Sequence, residues 1–232
     1  MIKNVLIFVG GYGKRLGHLT KKTPKPLLKF NQKPFIEFIF EKIFKIKPKK
    51  IILLCRYQNK QFIKKYHNCI INDSKIICVT EKRPLGTAGS LYNAKKYIQN
   101  NTLVCNGDSL LDINFEILNK VKLKNSIIFL CLVKNKNYQS NNKLSNLNIK
   151  NGKITYNHIS KNKLMNAGVY VLSKKIIKFL KKKSFSLEDE IISKLIKKNL
   201  VLGKFYNEYF IDIGTIKNYL IFKKISKKYN YN

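Results

Sequence analysis

The chain has 232 residues, 44% of them hydrophobic, enough for one substantial core without compelling a second domain. Its longest apolar runs, at 5–9, 51–55 and 127–133, fall far short of the roughly 20 residues that a membrane span needs, so neither a span nor a membrane partner is expected. The formal charge of +35 points first to nucleic acid, yet only Arg15, Arg56 and Arg83 among the 47 basic residues are arginines, whereas bidentate recognition of phosphates and guanine edges favours arginine. A solvated, lysine-coated surface accounts for the charge; no nucleic-acid partner is expected, and the positive field would speed the arrival of polyphosphates. The N-terminus runs at once into a short apolar strand with no extended leader, so a cytoplasmic protein is expected. Five scattered cysteines without zinc spacing make no disulfide framework, and Cys55, Cys78, Cys105 and Cys131 read as free thiols in apolar runs. His18, His67 and His158 lack metal-ligand spacing and read as structural.

In chain order, 5–9, 51–55, 76–80, 102–106 and 127–133 read as strands. Between the first two, 34–44 carries Phe35, Ile36, Ile39, Phe40 and Ile43 as a helical stripe with Pro34 near the first turn. Residues 58–66, 89–98 and 115–121 are further helix candidates. This alternation is the sign of βαβ units around a largely parallel sheet. From about 144 the pattern changes, with 144–150 and 153–159 flanking the Asn151-Gly152 turn of a β-hairpin. A strand follows at 166–172, then helices at 174–181 and 187–198, the second opened by Ser186 with Asp189 three residues on. Thr215 caps a last helix running to about 226. No internal repeat or linker interrupts the chain, and 134–143 reads as a loop, so one domain over 1–232 is expected.

Four segments carry chemistry. The first strand ends in Gly10-Gly11-Tyr12-Gly13-Lys14-Arg15-Leu16, followed by Pro24-Lys25-Pro26. Glycines at a strand end let phosphates approach the backbone N–H groups, and Lys14, Arg15 and Lys25 supply cationic charge; a plain tight turn is the alternative, and neither a P-loop nor the dinucleotide fingerprint is present. The second, Glu81-Lys82-Arg83-Pro84-Leu85-Gly86-Thr87-Ala88-Gly89, follows a strand and opens a helix, a place suited to a polar ligand or to a simple turn. In the third, Asn106-Gly107-Asp108 stands at the carboxyl end of a buried strand, where open α/β sheets bind ligands. The fourth, Ile211-Asp212-Ile213-Gly214-Thr215, sets another aspartate between apolar residues. A carboxylate so flanked needs a partner or a metal, and Mg²⁺ takes one or two carboxylates plus substrate phosphates; a turn cap at Asp108 and a loop role at Asp212 are the alternatives.

Taken together the blocks resemble the sugar-phosphate nucleotidyltransferases, whose signatures are G-G-x-G-T-R-L with P-K-P, then P-L-G-T-A-G, N-G-D and D-I-G-T. The form of P-L-G-T-A-G is similar to that of mannose- and heptose-1-phosphate guanylyltransferases. The resemblance implies an α/β, Rossmann-like mixed, largely parallel sheet flanked by helices, of the nucleotidyltransferase or GT-A-like type, with a small C-terminal β-hairpin region. It implies a nucleotide-binding half over about 1–135 and a sugar-binding half over about 136–232. The implied activity joins a nucleoside triphosphate, GTP favoured, to a sugar 1-phosphate, D-glycero-D-manno-heptose 1-phosphate favoured and mannose 1-phosphate next, and supplies surface polysaccharide synthesis. Arg15, Lys25 and Asp108 would be catalytic, and Asp108 and Asp212 would bind Mg²⁺. The nucleotide would meet Gly10, Gly11, Gly13, Lys14, Glu81, Pro84, Leu85, Gly86, Thr87 and Gly89. For the sugar phosphate the resemblance implies Asn106, Gly107, Lys161, Asn166 and Gly168 of an N-A-G-x-Y strand, and Glu188 of an S-L-E helix start. Two departures stand out: Lys14 replaces the family's threonine, and Ser160 replaces the acid before Lys161. Another base with a hexose 1-phosphate, a catalytically silent nucleotide-sugar sensor, and self-association into a homo-oligomer all stay open on sequence alone.

Overall fold

Most of the apolar runs read as strands, those at 5–9, 51–55, 102–106 and 127–133, are buried on both faces, as strands of a parallel sheet covered by helices must be; 76–80, near the sheet's edge, is buried on one. The computed structural model describes residues 1–134, 143–156 and 163–229. The strands are β1 (Asn4–Phe8), β2 (Lys29–Phe30), β3 (Lys33–Pro34), β4 (Lys50–Cys55), β5 (Ile70–Ile71), β6 (Ser74–Thr80), β7 (Thr102–Asn106), β8 (Ser109–Leu111), β9 (Ile128–Lys134), β10 (Leu147–Lys150), β11 (Lys153–Tyr156), β12 (Leu164–Leu172), β13 (Val201–Phe205) and β14 (Phe210–Asp212). The α-helices are α1 (Phe35–Phe44), α2 (Asn59–Tyr66), α3 (Gly86–Asn93), α4 (Ser193–Lys197) and α5 (Ile216–Ile225).

One ten-stranded sheet runs in the order β10-β11-β13-β9-β12-β7-β1-β4-β6-β5. Strands β7, β1, β4 and β6 are mutually parallel. The chain steps outward from β1 to β4 and β6, then returns to β7 on the other side of β1. Such a reversal opens a crevice at the carboxyl ends of the two central strands, the place where open sheets of this kind take ligands. Beyond β7 the sheet turns mixed: β12 is antiparallel to β7 and β9, and β9 is parallel to β13.

Helices cover both faces. On one, α1 and α5 meet through Phe222, whose ring stands 4.8 Å from Phe30, 5.0 Å from Phe35 and 5.2 Å from Phe38, edge-on to all three. The opposite face is closed by α3, α4 and the segment before α4, through Leu91, Leu187, Ile192 and Leu195 on Leu6, Leu130 and Tyr170. Cys55, Cys78, Cys105 and Cys131 are buried free thiols, and burial pushes those of Cys105 and Cys131 up.

Several helices differ in kind from their sequence pattern. Residues 115–120 and 174–179 are 3₁₀ rather than α, each opened by a side chain, Asn114 or Ser173, that accepts the N–H two residues on and tightens the turn. The helix expected at 89–98 begins at Gly86 and breaks after Asn93, and that expected at 187–198 starts as a π-helix over Leu187–Ile192. The hairpin forms with Asn151 at φ 51° and Gly152 at φ 73°, as a two-residue turn requires; the 157–159 part of its second strand lies outside the described residues. Strand β13 is not among the strands expected from sequence; it contains Gly203, where a Cβ would stand 2.2 Å from Ile154 Cδ1, so the glycine lets the strand pass.

The Phe222 contact ties α5 to the body of the protein. Phe222→Ala is expected to cost about 3–5 kcal/mol in chemical denaturation, the usual range for deleting a buried phenylalanine ring, with Phe222→Leu costing clearly less.

Candidate active site

The loop after β1 crosses the switch-point crevice. Val9 N–H donates to the Leu54 carbonyl at 3.1 Å, which extends β1 along β4 before the glycines begin. Gly13 has φ 64°, and a Cβ there would fall 2.9 Å from Thr20 Cγ2, so this turn needs glycine. Thr20 Oγ1 donates to the Gly13 carbonyl at 3.0 Å and closes the loop on itself. Gly11, Lys14 and Arg15 are exposed and Gly10 is half-buried. Lys14 sits 6.0 Å from the centroid of the Tyr12 ring and faces solvent.

Asp108 lies at the carboxyl end of β7, directly across the crevice. A two-stranded ladder brings the distant second aspartate to it: β8 pairs antiparallel with β14, setting Asp212 opposite Ser109, and Ile213 N–H donates to the Asp108 carbonyl at 2.9 Å. Lys25, buried behind Pro24, reaches Asp108 Oδ2 at 2.6 Å. A Cβ on Gly214 would meet Asp212 Oδ1 at 2.7 Å, Arg15 Nη2 at 2.8 Å and Lys25 Nζ at 3.3 Å, so these three groups surround one point. Arg15, Lys25, Asp108 and Asp212 therefore form a cluster of two positive and two negative charges.

The carboxylates titrate unequally. Burial would raise Asp108, but the Lys25 charge and hydrogen bond and the Ser109 hydroxyl outweigh it and hold the group below the usual carboxylate range. Burial, and next the charge of Asp108, push Asp212 up to about 6 against the pull of Lys25, the Gly214 N–H and Arg15. Mutual repulsion of this kind is what a divalent cation relieves, and two carboxylates suit a hard cation whose remaining ligands are water and phosphate. Among the described residues no cluster of three or more His, Cys, Asp or Glu side chains gathers.

Glu81 follows the carboxyl end of β6. Its Oε1 accepts from Ser90 Oγ and its Oε2 from the Leu85 N–H at 3.3 Å. Burial raises its pKa, opposed by the Ser90 hydroxyl, the Leu85 N–H and Arg56. Pro84 is exposed, Leu85 is buried, and Gly86 begins α3 at φ 65°. Gly86 and Gly89 pack on the backbone of 183–185: a Cβ would lie 2.3 Å from the Phe185 carbonyl oxygen at the first and 2.6 Å from that of Lys183 at the second. Thr87 is half-buried and hydrogen-bonds Glu188 and Leu187.

On the other side of the crevice, Gly107 N–H donates to the Phe8 carbonyl at 2.9 Å, joining β7 to β1 at the switch point. Strand β12 shifts register between Asn166 and Tyr170, and Gly168, at φ 72°, would place a Cβ 2.6 Å from Asn106 Nδ2. The bulge thus brings Asn166 and Gly168 against Asn106. Glu188 is half-buried and accepts from Tyr170 and Thr87. Lys161 and Ser160 lie outside the described residues.

One crevice residue was missed in the sequence reading. Arg56, just past β4, stacks its guanidinium 4.0 Å from the Tyr12 centroid and donates to Tyr12 Oη at 2.9 Å. Its place at the carboxyl end of the strand beside β1 was the available signal.

The nucleotidyl transferase family profile matches residues 4–228. The D-glycero-alpha-D-manno-heptose 1-phosphate guanylyltransferase of Campylobacter jejuni is 35% identical over 222 residues, a stretch covering 94% of this chain and 97% of that protein. The crystal structure of HddC from Yersinia pseudotuberculosis superposes with a TM-score of 0.75 at 28% identity, covering 99% of this chain and all (100%) of that one. A second HddC structure, complexed with GMP-PN, gives 0.74 at 27% identity, covering 99% and 100%. No helix among the described residues is long and apolar enough to cross a membrane. The match runs from the first strand into the last helix and takes in both aspartates and the loop between β1 and α1, and on that ground the chain belongs to the nucleotidyl transferase family.

Proposed function

We propose that the chain transfers the guanylyl group of GTP to D-glycero-D-manno-heptose 1-phosphate, forming the nucleotide sugar and releasing pyrophosphate. The observation that carries the chemistry is the balanced cluster of Arg15, Lys25, Asp108 and Asp212 at the switch point. The choice of GTP and heptose is supported by the C. jejuni relative's activity and by the GMP-PN held by HddC. One domain would do both jobs, residues up to about 135 holding the nucleotide and those from about 136 the sugar.

A sugar 1-phosphate oxygen is already anionic at neutral pH, so no general base is needed. That oxygen attacks the α-phosphorus in line, the new P–O bond forms as the α–β bridging P–O bond breaks, and pyrophosphate carries away the electron pair. Catalysis then consists of positioning and charge neutralisation, the logic of phosphoryl transfer. Gly10, Gly11 and Gly13 offer the triphosphate a close approach to the backbone, with Lys14, Arg15 and Lys25 as cations. Glu81, Pro84 and Leu85 stand on the base side. Asn106, Gly107, Asn166, Gly168 and Glu188 face the sugar, and Lys161 takes its phosphate. Asp108 and Asp212 would hold Mg²⁺, which when bound supplies positive charge to the phosphates. Lys25 hydrogen-bonds one oxygen of Asp108 at 2.6 Å.

Three outcomes test this reading. Pyrophosphate release with Mg²⁺ should occur for GTP with heptose 1-phosphate above all other pairs of GTP, UTP, CTP, dTTP and ATP with heptose, mannose and glucose 1-phosphates; silence throughout with GTP binding intact would make the chain a sensor. Asp108→Asn and Asp212→Asn should each lower kcat by about 10²–10³ with the far-UV spectrum unchanged, as loss of a transition-state charge partner does; near-normal turnover in both removes the metal assignment. Because Asp212 must shed its proton to ligate and its pKa stands at about 6, Mn²⁺ affinity measured by water proton relaxation should rise about tenfold per pH unit below 6 and level off above it. A flat profile contradicts that, and Asp212→Asn should abolish the slope.

A further inference from the structure

We infer that Thr87 is a positioning residue for the sugar side of the site, holding Glu188 through its hydroxyl, and not a ligand of the nucleotide. The inference rests on the reading given above in which Glu188 faces the sugar, where its carboxylate can accept sugar hydroxyls.

A threonine hydroxyl has one proton to give. That of Thr87 goes to Glu188 Oε2 at 2.6 Å, while Thr87 Oγ1 itself accepts the Leu187 N–H at 2.8 Å. Nothing is left to donate to a ribose or a phosphate. The other oxygen of Glu188 accepts from Tyr170 Oη at 2.9 Å. Tyr170 is wholly buried and accepts in turn from Asn166 Nδ2 at 2.8 Å, while Asn166 Oδ1 accepts the Gly168 N–H at 3.0 Å. A continuous chain of hydrogen bonds thus joins the start of α3, the Leu187–Ile192 turn and the bulge of β12.

The surrounding backbone is built for the same contact. Phe185 N–H donates to the Leu85 carbonyl at 3.1 Å and Ala88 N–H to the Phe185 carbonyl at 3.2 Å. Gly86 and Gly89 leave room for this approach, as their blocked Cβ positions show. The motif's glycines therefore serve contact between two segments of the chain.

Glu188 itself sits in a π-helix, a wide turn that recurs at functional sites. The turn is locked by Ser193, whose N–H and Oγ both donate to the Glu188 carbonyl, the latter at 3.1 Å. Ser186 Oγ lies 3.4 Å from Glu188 Oε2 but nearer Asp189 Oδ2, at 3.1 Å, so its single proton goes there; Thr87 and Tyr170 each fill one position on the carboxylate, and the remaining direction is left for ligand hydroxyls. Thr87 and Tyr170 set that direction from opposite sides.

The test separates the two roles of Thr87. In steady-state assays with GTP and D-glycero-D-manno-heptose 1-phosphate, Thr87→Val should raise the KM for the sugar phosphate about tenfold, the usual effect of losing a hydrogen bond to a charged group, and leave the KM for GTP within about twofold. Equilibrium binding of GTP in the presence of Mg²⁺, which needs no turnover, should be equally unaffected. Thr87→Ser keeps the hydroxyl and should return the sugar KM to near the wild-type value. Tyr170→Phe removes the opposite arm and should show the same split, which keeps the proposal testable should Thr87→Val fold poorly. A rise in the GTP constants with the sugar KM unchanged overturns the inference, as does no change in either. A wild-type enzyme that binds GTP but turns over no sugar phosphate fails the functional reading instead; Thr87→Val then still reports whether its hydroxyl touches GTP.

Discussion

Two carboxylates cannot both ionise readily in a half-buried crevice unless positive charge stands beside them, and this constraint organises the site. Lys25 and Arg15 supply that charge, and both come from the one stretch of chain between β1 and β2. The balance is uneven: Lys25 holds one carboxylate firmly, while the other remains hard to ionise. The rest of the local structure keeps these groups in place. The β8–β14 ladder carries Asp212 to Asp108, Thr215 caps α5 directly after it, and Phe222 anchors that helix in the aromatic cluster of α1.

The charge of the chain reads differently against this site. Four of its 12 acidic residues, Glu81, Asp108, Glu188 and Asp212, stand in the crevice of a molecule that is otherwise strongly basic. On the proposed function, long-range attraction and local chemistry are separated: the lysine surface would draw in polyanions, and the few acids would serve a cation and hydroxyl groups. Other acids pair with lysine away from the crevice, as Asp112 does with Lys42 and Glu37 with the exposed Lys65.

Close approach is the second theme. Gly86, Gly89 and Gly168 each sit where a side chain would strike backbone or Asn106, and each lets two separate segments of the chain touch. A glycine-rich segment beside a ligand site invites the reading that the ligand needs the space. Here the space at Gly86 and Gly89 is taken by the backbone of 183–185.

The central strands, the hairpin, the caps at Ser186 and Thr215 and the four chemical segments were legible in sequence because each rests on local rules: runs of buried residues, positive-φ turns, side-chain caps and short spacings. The 3₁₀ and π character of the short helices was not, since hydrophobic period does not distinguish tight from wide turns of six residues. Strands of two or three residues, such as β8 and β14, show no period at all. Sequence by itself determined which residue types could do this chemistry and at which strand ends they stand. Only the tertiary structure decided that Asp212 meets Asp108 across a ladder, that Arg56 stacks on Tyr12, and that Thr87 faces Glu188. Those pairings join residues far apart in the chain, and no local rule reports a contact that depends on how sheet and loops close on one another.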